Sequence, residues 1–356
     1  MRVVPTASAA PPTLAEIARR VDARIDCLLS GEIERWTTAD RELGEPLAAL
    51  RDLVLAGGKR LRPAFCHWAF VGAGGDPDDP WVTDGGAALE LLHTFALIHD
   101  DIMDGSSRRR GTETIHVSFE ERHALDGWRG DGRRFGEGVA ILVGDLAFVY
   151  ADHLLAGAPP AAADVFTELR IEVNVGQYLD LVGTARGRAG AHEARRISLY
   201  KSGKYTVERP LHLGAALAGR LDDLAAPLSD FGLPLGEAFQ LRDDLLGVFG
   251  DETLTGKPVG DDLREGKPTV LYATARERAG RAAARVLDRY GAPDLDERDV
   301  ATLQDVLVET GAVEDVERAI GELVGHALVA LEAARITSEA HDALVDLAQF
   351  VAGRDR

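Results

Sequence analysis

Two short clusters of carboxylates are the clearest candidates for chemistry in this chain. Asp100, Asp101 and Asp104 lie in HDDIMDG, directly after the apolar run at residues 89–98. On a helix, positions 100 and 104 are one turn apart on the same face, so their carboxylates project together. Hard oxygen ligands without a neighbouring His or Cys cluster suit Mg²⁺. A solvated acidic helix end would look the same, so this cluster alone leaves both interpretations open.

The second cluster repeats this arrangement. Gln240, Asp243 and Asp244 lie in FQLRDDLLGVFGD after the apolar run at residues 231–239. Spacings of three and four residues place Gln240 on the same helical face as both aspartates. Two polar faces that oppose each other inside a helical bundle form a site for divalent metal ions. The matched pair therefore predicts a Mg²⁺ site more strongly than either cluster alone.

Lysine is scarce, and its few positions are distinctive. The chain has 35 Arg but only 5 Lys. A lysine ammonium can bind a phosphate as a point charge, which is one reason to retain it. For Lys201 or Lys267 taken singly, survival by chance explains the residue equally well. The five lysines are Lys59, Lys201, Lys204, Lys257 and Lys267.

The segment GGKRLRP is the strongest of the basic motifs. Two glycines free the backbone, and Lys59, Arg60 and Arg62 are predicted to converge within four positions. The segment is not a Walker loop, because GxxxxGK[ST] is absent. A further basic group, residues 108–110, follows the first aspartates. Mg²⁺ held by aspartates, with cations around it, predicts a site for a diphosphate.

No conventional protein nucleophile or zinc site is indicated. Neither a Ser-His-Asp nor a Cys-His arrangement is suggested, and His93 and His99 lack the HExxH spacing. A histidine on an apolar helix is ordinarily a core residue. His93 lies two turns before the first aspartates, however, which allows it to face the same cavity.

The elements that must position these residues are predicted to be helices. Apolar residues recur at spacings of three and four, and alternating Val, Ile and Thr runs are almost missing. The clearest helical segments are residues 14–28, 87–99, 165–181 and 315–334. We predict an all-α, single-domain bundle around a central cavity.

The remaining segments set the predicted boundaries. Residues 139–150 could form a buried strand, but their length favours a central buried helix. Residues 122–138, 183–191 and 250–268 are predicted loops. We expect a flexible N-terminal tail at residues 1–12 and one domain over residues 13–353.

Composition excludes several classes of protein. The formal charge of −19 argues against a nucleic-acid-binding protein, which needs a surplus of cations. With 46% apolar and 28% charged residues, the chain is typical of a globular protein rather than a disordered one. No apolar run is long enough for a membrane span. Only Cys27 and Cys66 are present, which favours a reducing, cytoplasmic location.

The motifs together resemble the trans-isoprenyl diphosphate synthases, the polyprenyl synthetase family. GGKRLRP, LLHTFALIHDDIMD, RRG, GDLAF, GQYLDL, KYT, FQLRDDLLGVFGD and TGKPVGDDLREGKPT occur in the family's order over residues 57–269. The resemblance implies Mg²⁺-dependent, head-to-tail condensation of isopentenyl diphosphate with an allylic diphosphate (dimethylallyl, geranyl or farnesyl). It also implies a homodimer.

The resemblance assigns roles to individual positions. The residues it implies for metal binding are Asp100, Asp104, Asp180 and Asp243, with Asp101 and Asp244 in support, around three Mg²⁺ ions for which Mn²⁺ can substitute. The allylic diphosphate would be contacted by Arg109, Lys204 and Lys257, with Gln177 assisting. The isopentenyl diphosphate would be held by Lys59, Arg62, His93 and Arg110. Thr206 and Gln240 would stabilise positive charge on the allylic carbon.

Two departures from the family pattern bear on these assignments. Gly247 stands where the second motif usually has a further aspartate, so weaker or altered metal support is expected. The family's Lys-Thr pair is interrupted here, because Tyr205 follows Lys204 and the hydroxyl moves to Thr206.

Product length is expected to depend on the helix before the first cluster. Phe95 lies five positions before Asp100, about 7.5 Å along a helix axis. The small Ala96 beside it resembles the geranylgeranyl pattern, and Leu92 would line a longer tunnel. A twenty-carbon product is therefore favoured, with farnesyl diphosphate as the alternative.

Two other functions stay open. A terpene cyclase also uses an aspartate-rich helix and Mg²⁺, but it does not need GGKRLRP or a second aspartate pair. A regulatory synthase subunit tends to lose the first aspartates, which this chain keeps.

Overall fold

The computed structural model describes residues 11–186, 190–250 and 259–353. These residues form two compact units, Pro12–Asp164 with Leu213–Arg220 and Val165–His212 with Leu221–Arg356. The predicted all-α class is confirmed, because the only strands among the described residues are the two-residue β1 (Arg108–Arg109) and β2 (Thr112–Glu113), paired antiparallel. The single domain predicted over residues 13–353 stays a prediction.

The helices follow one another along the chain with short connections. The first are α1 (Pro12–Ala39), α2 (Glu45–Leu55), α3 (Leu61–Gly72), α4 (Pro80–Asp104), α5 (Ile115–Leu125), α6 (Gly132–Leu154) and α7 (Pro160–Arg186). Next come α8 (Ala191–Ser198), a π-helical segment (Leu199–Glu208), α9 (Arg209–Leu217) and α10 (Leu221–Phe249). The last are α11 (Asp261–Glu265), α12 (Val270–Arg278), α13 (Arg281–Leu287), α14 (Glu297–Glu309), α15 (Ala312–Leu331) and α16 (Ser338–Gly353). A 3₁₀ turn, Arg41–Gly44, precedes α2.

In the first unit, α4 packs against α3 and α6. The side chain of Asp79 caps the N-terminus of α4 by accepting from the Trp81 amide at 2.9 Å, and Pro80 occupies the first turn. The helix ends at Asp104, and the following Gly105 has a positive φ of 66°, which suits the left-handed residue after a helix. These boundary signals place the aspartates of HDDIMD in the last turn of α4.

In the second unit, α10 packs against α15 and the π-helical segment. A Cβ at Gly236 would collide with the Gly203 backbone, so the glycine at position 236 permits this close approach. The fully buried Phe231 and Leu235 lie in α10, which carries the second aspartate cluster. This packing sets the position of that cluster within its unit.

The predicted loop over residues 122–138 is mostly wrong. Helix α5 continues to Leu125, and α6 begins at Gly132, directly after Asp131. The side chain of Asp131 caps α6 by accepting from the Arg134 amide. Gly136 is needed for packing and not for a turn, because a Cβ there would collide with the His116 carbonyl.

The prediction of a central buried helix over residues 139–150 is half right. The segment is helical, but only one face is buried, and Leu142 and Val149 are 63% and 59% exposed. Of the other predicted loops, α7 continues to Arg186 and Asp261–Glu265 is helical. Residues 1–10, 187–189 and 251–258 lie outside the described residues, and Pro12 already belongs to α1.

Candidate active site

The first carboxylate cluster occupies the last turn of α4. Asp100 and Asp104 are both half-buried and lie one helical turn apart. Asp101 is 2% exposed, and it accepts from Arg109 Nε at 2.9 Å and from Arg109 Nη2. The same Nη2 lies 3.6 Å from Asp100 Oδ2. Arg109 thus neutralises Asp101 and draws positive charge towards Asp100.

A group of arginines surrounds His93 in this unit. Burial, and then the charges of Arg62, Arg110 and Arg109, hold the pKa of His93 well below its usual value. Arg110 adopts a left-handed backbone with φ of 52° and donates to the Leu53 carbonyl at 3.0 Å. His93 is therefore neutral near pH 7, so it can serve there as a hydrogen-bonding group and not as a cation.

The structure separates Arg60 from the other cations of GGKRLRP. Lys59 is exposed and Arg62 is half-buried, whereas Arg60 is 2% exposed. Arg60 forms ion pairs of 2.8 Å with both Asp22 and Glu90. The prediction that three cations converge is therefore wrong for Arg60, because Asp22 and Glu90 neutralise its charge inside the fold.

The residues predicted to limit product length lie on α4, one to two turns before the aspartates. Phe95 is 9% exposed, Leu92 is fully buried and Ala96 is half-buried. Leu92 lies nearly one turn before Phe95, so the exposure of α4 to solvent falls from 9% at Phe95 to zero at Leu92.

The second carboxylate cluster lies near the end of α10. Gln240 Nε2 donates to Asp244 Oδ1 at 2.7 Å, which confirms that the two side chains share a face. Asp244 is 5% exposed and Asp243 is half-buried. Burial, together with the negative charges of Asp262 and Asp243, raises the pKa of Asp244 to about 7. Asp243 is thus the more accessible carboxylate of the pair.

The raised pKa of Asp244 predicts a pH-dependent stability. The carboxyl titrates near 4 in the unfolded chain and near 7 in the folded chain, so between these values the folded state binds more protons. With a chelator present, the free energy of unfolding should fall by about 3 kcal/mol from pH 5 to pH 8. Urea denaturation across this range measures the fall, and Asp244→Asn should flatten it. Equal slopes for wild type and Asp244→Asn would contradict the assignment, and the exposed Asp305→Asn serves as a matched control.

Gly247 has no room for the aspartate that the family pattern leads one to expect. A Cβ on Gly247 would collide with the carboxylate of Asp262, which comes from α11. Asp262 also lies near Lys267, with Nζ 3.9 Å from Oδ1. A carboxylate therefore still lies beside the second cluster, supplied by a residue 15 positions further along the chain.

Helix α7 and the π-helical segment bring another carboxylate and lysine together. Lys201 Nζ donates to Asp180 Oδ2 at 2.6 Å, and Asp180 is 6% exposed. A Cβ on Gly176 would lie 2.5 Å from the Lys201 backbone nitrogen, so the glycine of GQYLD permits this approach. Gln177 is half-buried on the same helix.

Lys204 and Thr206 lie in more enclosed surroundings than their predicted roles suggest. Lys204 is ion-paired with Glu172, which also accepts from Arg209 Nε at 2.6 Å. Thr206 is fully buried. Direct contact of Thr206 with a substrate would therefore require this segment to rearrange. Lys257 lies outside the described residues.

Sequence reasoning missed three residues that the fold places beside predicted ones. Lys201 pairs with Asp180, Glu172 with Lys204, and Asp262 fills the space beside Gly247. Asp262 was visible in the GDD letters of the last motif. Lys201 and Glu172 had no spacing signal, because their partners are 21 and 32 residues away.

Comparison with known proteins agrees with this arrangement. The polyprenyl synthetase family model matches residues 45–307. A short chain isoprenyl diphosphate synthase of Methanothermobacter thermautotrophicus is 33% identical over 317 residues, which cover 87% of this chain and 90% of that protein. A geranylgeranyl diphosphate synthase of Mycobacterium tuberculosis is 31% identical over 326 residues, covering 90% and 84%.

A solved structure gives the same result for the fold. The geranylgeranyl pyrophosphate synthase of Corynebacterium glutamicum, crystallised with isoprenyl diphosphate and magnesium, is 37% identical with a TM-score of 0.91. The match covers 96% of this chain and 99% of that one. With the family model matching most of the chain, and with two aspartate clusters on helices as its motifs require, this protein belongs to the polyprenyl synthetase family, the trans-isoprenyl diphosphate synthases.

Proposed function

We propose that this trans-prenyltransferase condenses isopentenyl diphosphate with an allylic diphosphate and that its main product is geranylgeranyl diphosphate. The observation that carries the proposal is the pair Asp100 and Asp104, one turn apart at the end of α4 beside Arg109. Geranylgeranyl diphosphate synthases are among the similar proteins, including the Corynebacterium glutamicum enzyme.

The donor set of both clusters fits Mg²⁺. The described residues hold no ready-made group of three metal-binding side chains. Mg²⁺ usually takes one or two carboxylates from a protein and completes its shell with water and substrate phosphates. Asp100 and Asp104 would hold one ion and Asp243 a further one, with Asp180 assisting. Bound Mg²⁺ would neutralise the diphosphate as it leaves the allylic carbon. We further propose three ions per site, with Mn²⁺ as a working substitute.

The chain's own cations would bind the two substrates. Arg109 and Lys204 would contact the allylic diphosphate, and Lys201 would add positive charge. Lys59, Arg62 and Arg110 would hold isopentenyl diphosphate, with neutral His93 as a hydrogen-bonding partner. Preorganised charges of this kind stabilise developing charge without reorganisation during the reaction.

The overall reaction needs no conventional protein base. The bond between the allylic carbon and the diphosphate oxygen breaks, and that carbon bonds to the terminal alkene carbon of isopentenyl diphosphate. A proton is then lost, and the departed diphosphate can accept it. Gln240 is placed by its hydrogen bond to Asp244, and it would present its amide oxygen to the developing positive charge.

Purified protein with Mg²⁺, isopentenyl diphosphate and each allylic primer in turn tests the function. We expect condensation with at least one primer and a twenty-carbon main product. A terpene cyclase would convert the allylic diphosphate without consuming isopentenyl diphosphate. A regulatory subunit would condense nothing by itself, and that result would overturn the proposal.

Phe95→Ser is expected to lengthen the product. Phe95 lies nearly one turn closer to the aspartates than the fully buried Leu92, so its removal should let the growing chain extend by one or more five-carbon units. Chromatography of the dephosphorylated products against chain-length standards measures the shift. An unchanged product distribution would remove Phe95 as the residue that limits length.

Apolar surface on two helices supports a homodimer. In the first unit, α6 exposes Leu142 and Val149. In the second, α7 exposes Ile171 by 53% and Tyr178 by 66%. Large apolar side chains exposed on a helix face are typical of interaction surfaces. Light scattering should therefore give a mass of twice 38.2 kDa, whereas a single-chain mass would contradict the proposal.

The expected location is cytoplasmic, which rests on the cysteine content and on the family. Among the described residues, no helix combines the length and the apolar character that a bilayer crossing requires.

A further inference from the structure

Helix α6 places a second aromatic ring against Phe95. The ring centroids of Phe95 and Phe148 are 4.9 Å apart, with planes inclined by 61°. This edge-to-face geometry is a favourable one for aromatic pairs. The two residues come from different helices of the same unit, so the pair depends on the packing of α4 against α6. The predicted chain-length position is therefore half of a two-helix feature.

A third ring, that of His99, also contacts Phe95. The centroid of the His99 ring lies 4.6 Å from that of Phe95. His99 Nε2 is 3.2 Å from the Ile141 carbonyl of α6, within hydrogen-bond distance. A Cβ on Gly144 would collide with the His99 ring, so this glycine makes room for it. Phe95 thus contacts two rings: Phe148 belongs to α6, and His99 lies within hydrogen-bond distance of the α6 backbone.

Burial indicates where these rings would stop a growing hydrocarbon chain. Leu92 and Leu89, one and two turns before Phe95, are fully buried. Phe95 keeps 9% of its surface exposed, and Phe148 is half-buried. A hydrocarbon tail that passed Phe95 towards Leu92 would have to displace the Phe148 ring as well.

We propose that Phe148 is a second residue that determines product length, acting with Phe95 as a paired aromatic floor. The inference rests on the proposed synthase function. The small side chain of Ala96 leaves space above this floor, and the Phe95–Phe148 pair ends that space. Loss of either ring should let the product extend, and loss of both should extend it further.

The test compares the product chain lengths of four proteins: wild type, Phe148→Ala, Phe95→Ser and the double variant. In Phe148→Ala, the ratio of longer products to the wild-type main product should rise about tenfold, the order expected for one aromatic pair. The double variant should exceed both single variants. Phe148→Leu retains apolar volume, so it keeps the test valid if the alanine variant does not fold.

The matched control is Phe135→Ala, since Phe135 is also a half-buried phenylalanine of α6. It packs against His123 and Trp128, about 20 Å along the helix from Phe148. Its product lengths should equal those of wild type. Folded, active Phe148 variants with unchanged products would overturn the inference, as would folded variants that lose condensation altogether. If wild type itself condenses nothing, the proposed function fails instead.

Discussion

Replacing Asp100 with asparagine should lower kcat by about 10²–10³-fold, the range found when one preorganised electrostatic group is removed from an active site. The substitution keeps the shape of the side chain and removes its charge. The Asp100 side chain is 14% exposed, so solvent screens that charge only partly. Carboxylates at a helix C-terminus also oppose the helix dipole, which makes a bound cation more valuable there.

Initial rates measured across a Mg²⁺ titration distinguish loss of metal binding from loss of fold. Asp100→Asn should need more Mg²⁺ for half-maximal rate, while its thermal unfolding stays close to that of wild type. The exposed Asp164→Asn, in the same unit, should behave as wild type in both measurements. An Asp100→Asn enzyme with wild-type rates and Mg²⁺ dependence would exclude Asp100 as a metal-binding residue.

Restoring the family's aspartate at position 247 should damage this protein. In Gly247→Asp, the new Cβ collides with the Asp262 carboxylate, and a fourth negative charge joins Asp243, Asp244 and Asp262. Overpacking alone costs about 1–3 kcal/mol, and an uncompensated buried charge adds to that. We therefore expect the free energy of unfolding to fall by about 3 kcal/mol or more, without a gain in activity.

Three variants separate the causes of this effect. Gly247→Ala adds the steric conflict without the charge, so it should destabilise less. Gly247→Asp with Asp262→Ala vacates the contested space and should recover most of the stability. Gly325→Asp is the matched control, because a Cβ on this exposed helical glycine meets nothing within 4 Å. Urea denaturation of wild type and of the four variants measures the differences. Equal stabilities for Gly247→Asp and wild type would show that Asp262 does not occupy the space.

Features set by short-range spacing were predictable. The four-residue separation of Asp100 and Asp104 places them on one face of any helix, and Gln240 and Asp244 follow the same rule. The apolar periodicity likewise predicted the helices. The loop prediction at residues 122–138 was wrong because of its glycines. The sequence alone does not distinguish a glycine that permits close helix packing from a glycine in a turn.

Features that join distant residues were not predictable. Arg60 was grouped with its neighbours, but its ion pairs are with Asp22 and Glu90, which are 38 and 30 positions away. The pairing of Lys201 with Asp180 depends on the π-helical segment lying against α7. Such contacts follow from how helices pack, and helical periodicity reports only which face of each helix is apolar.

The sequence by itself therefore determined the all-α class and the two carboxylate clusters, because both depend on local spacing along a helix, and the order of its motifs identified the family. The tertiary structure decided which cations lie near the candidate site. Packing pairs Arg60 with Glu90 inside the fold and brings Lys201 to Asp180. It also decided that Asp262 fills the space at Gly247 and that Phe148 joins Phe95. In both cases the partner lies on another helix, and only the packing of the two helices brings the side chains together.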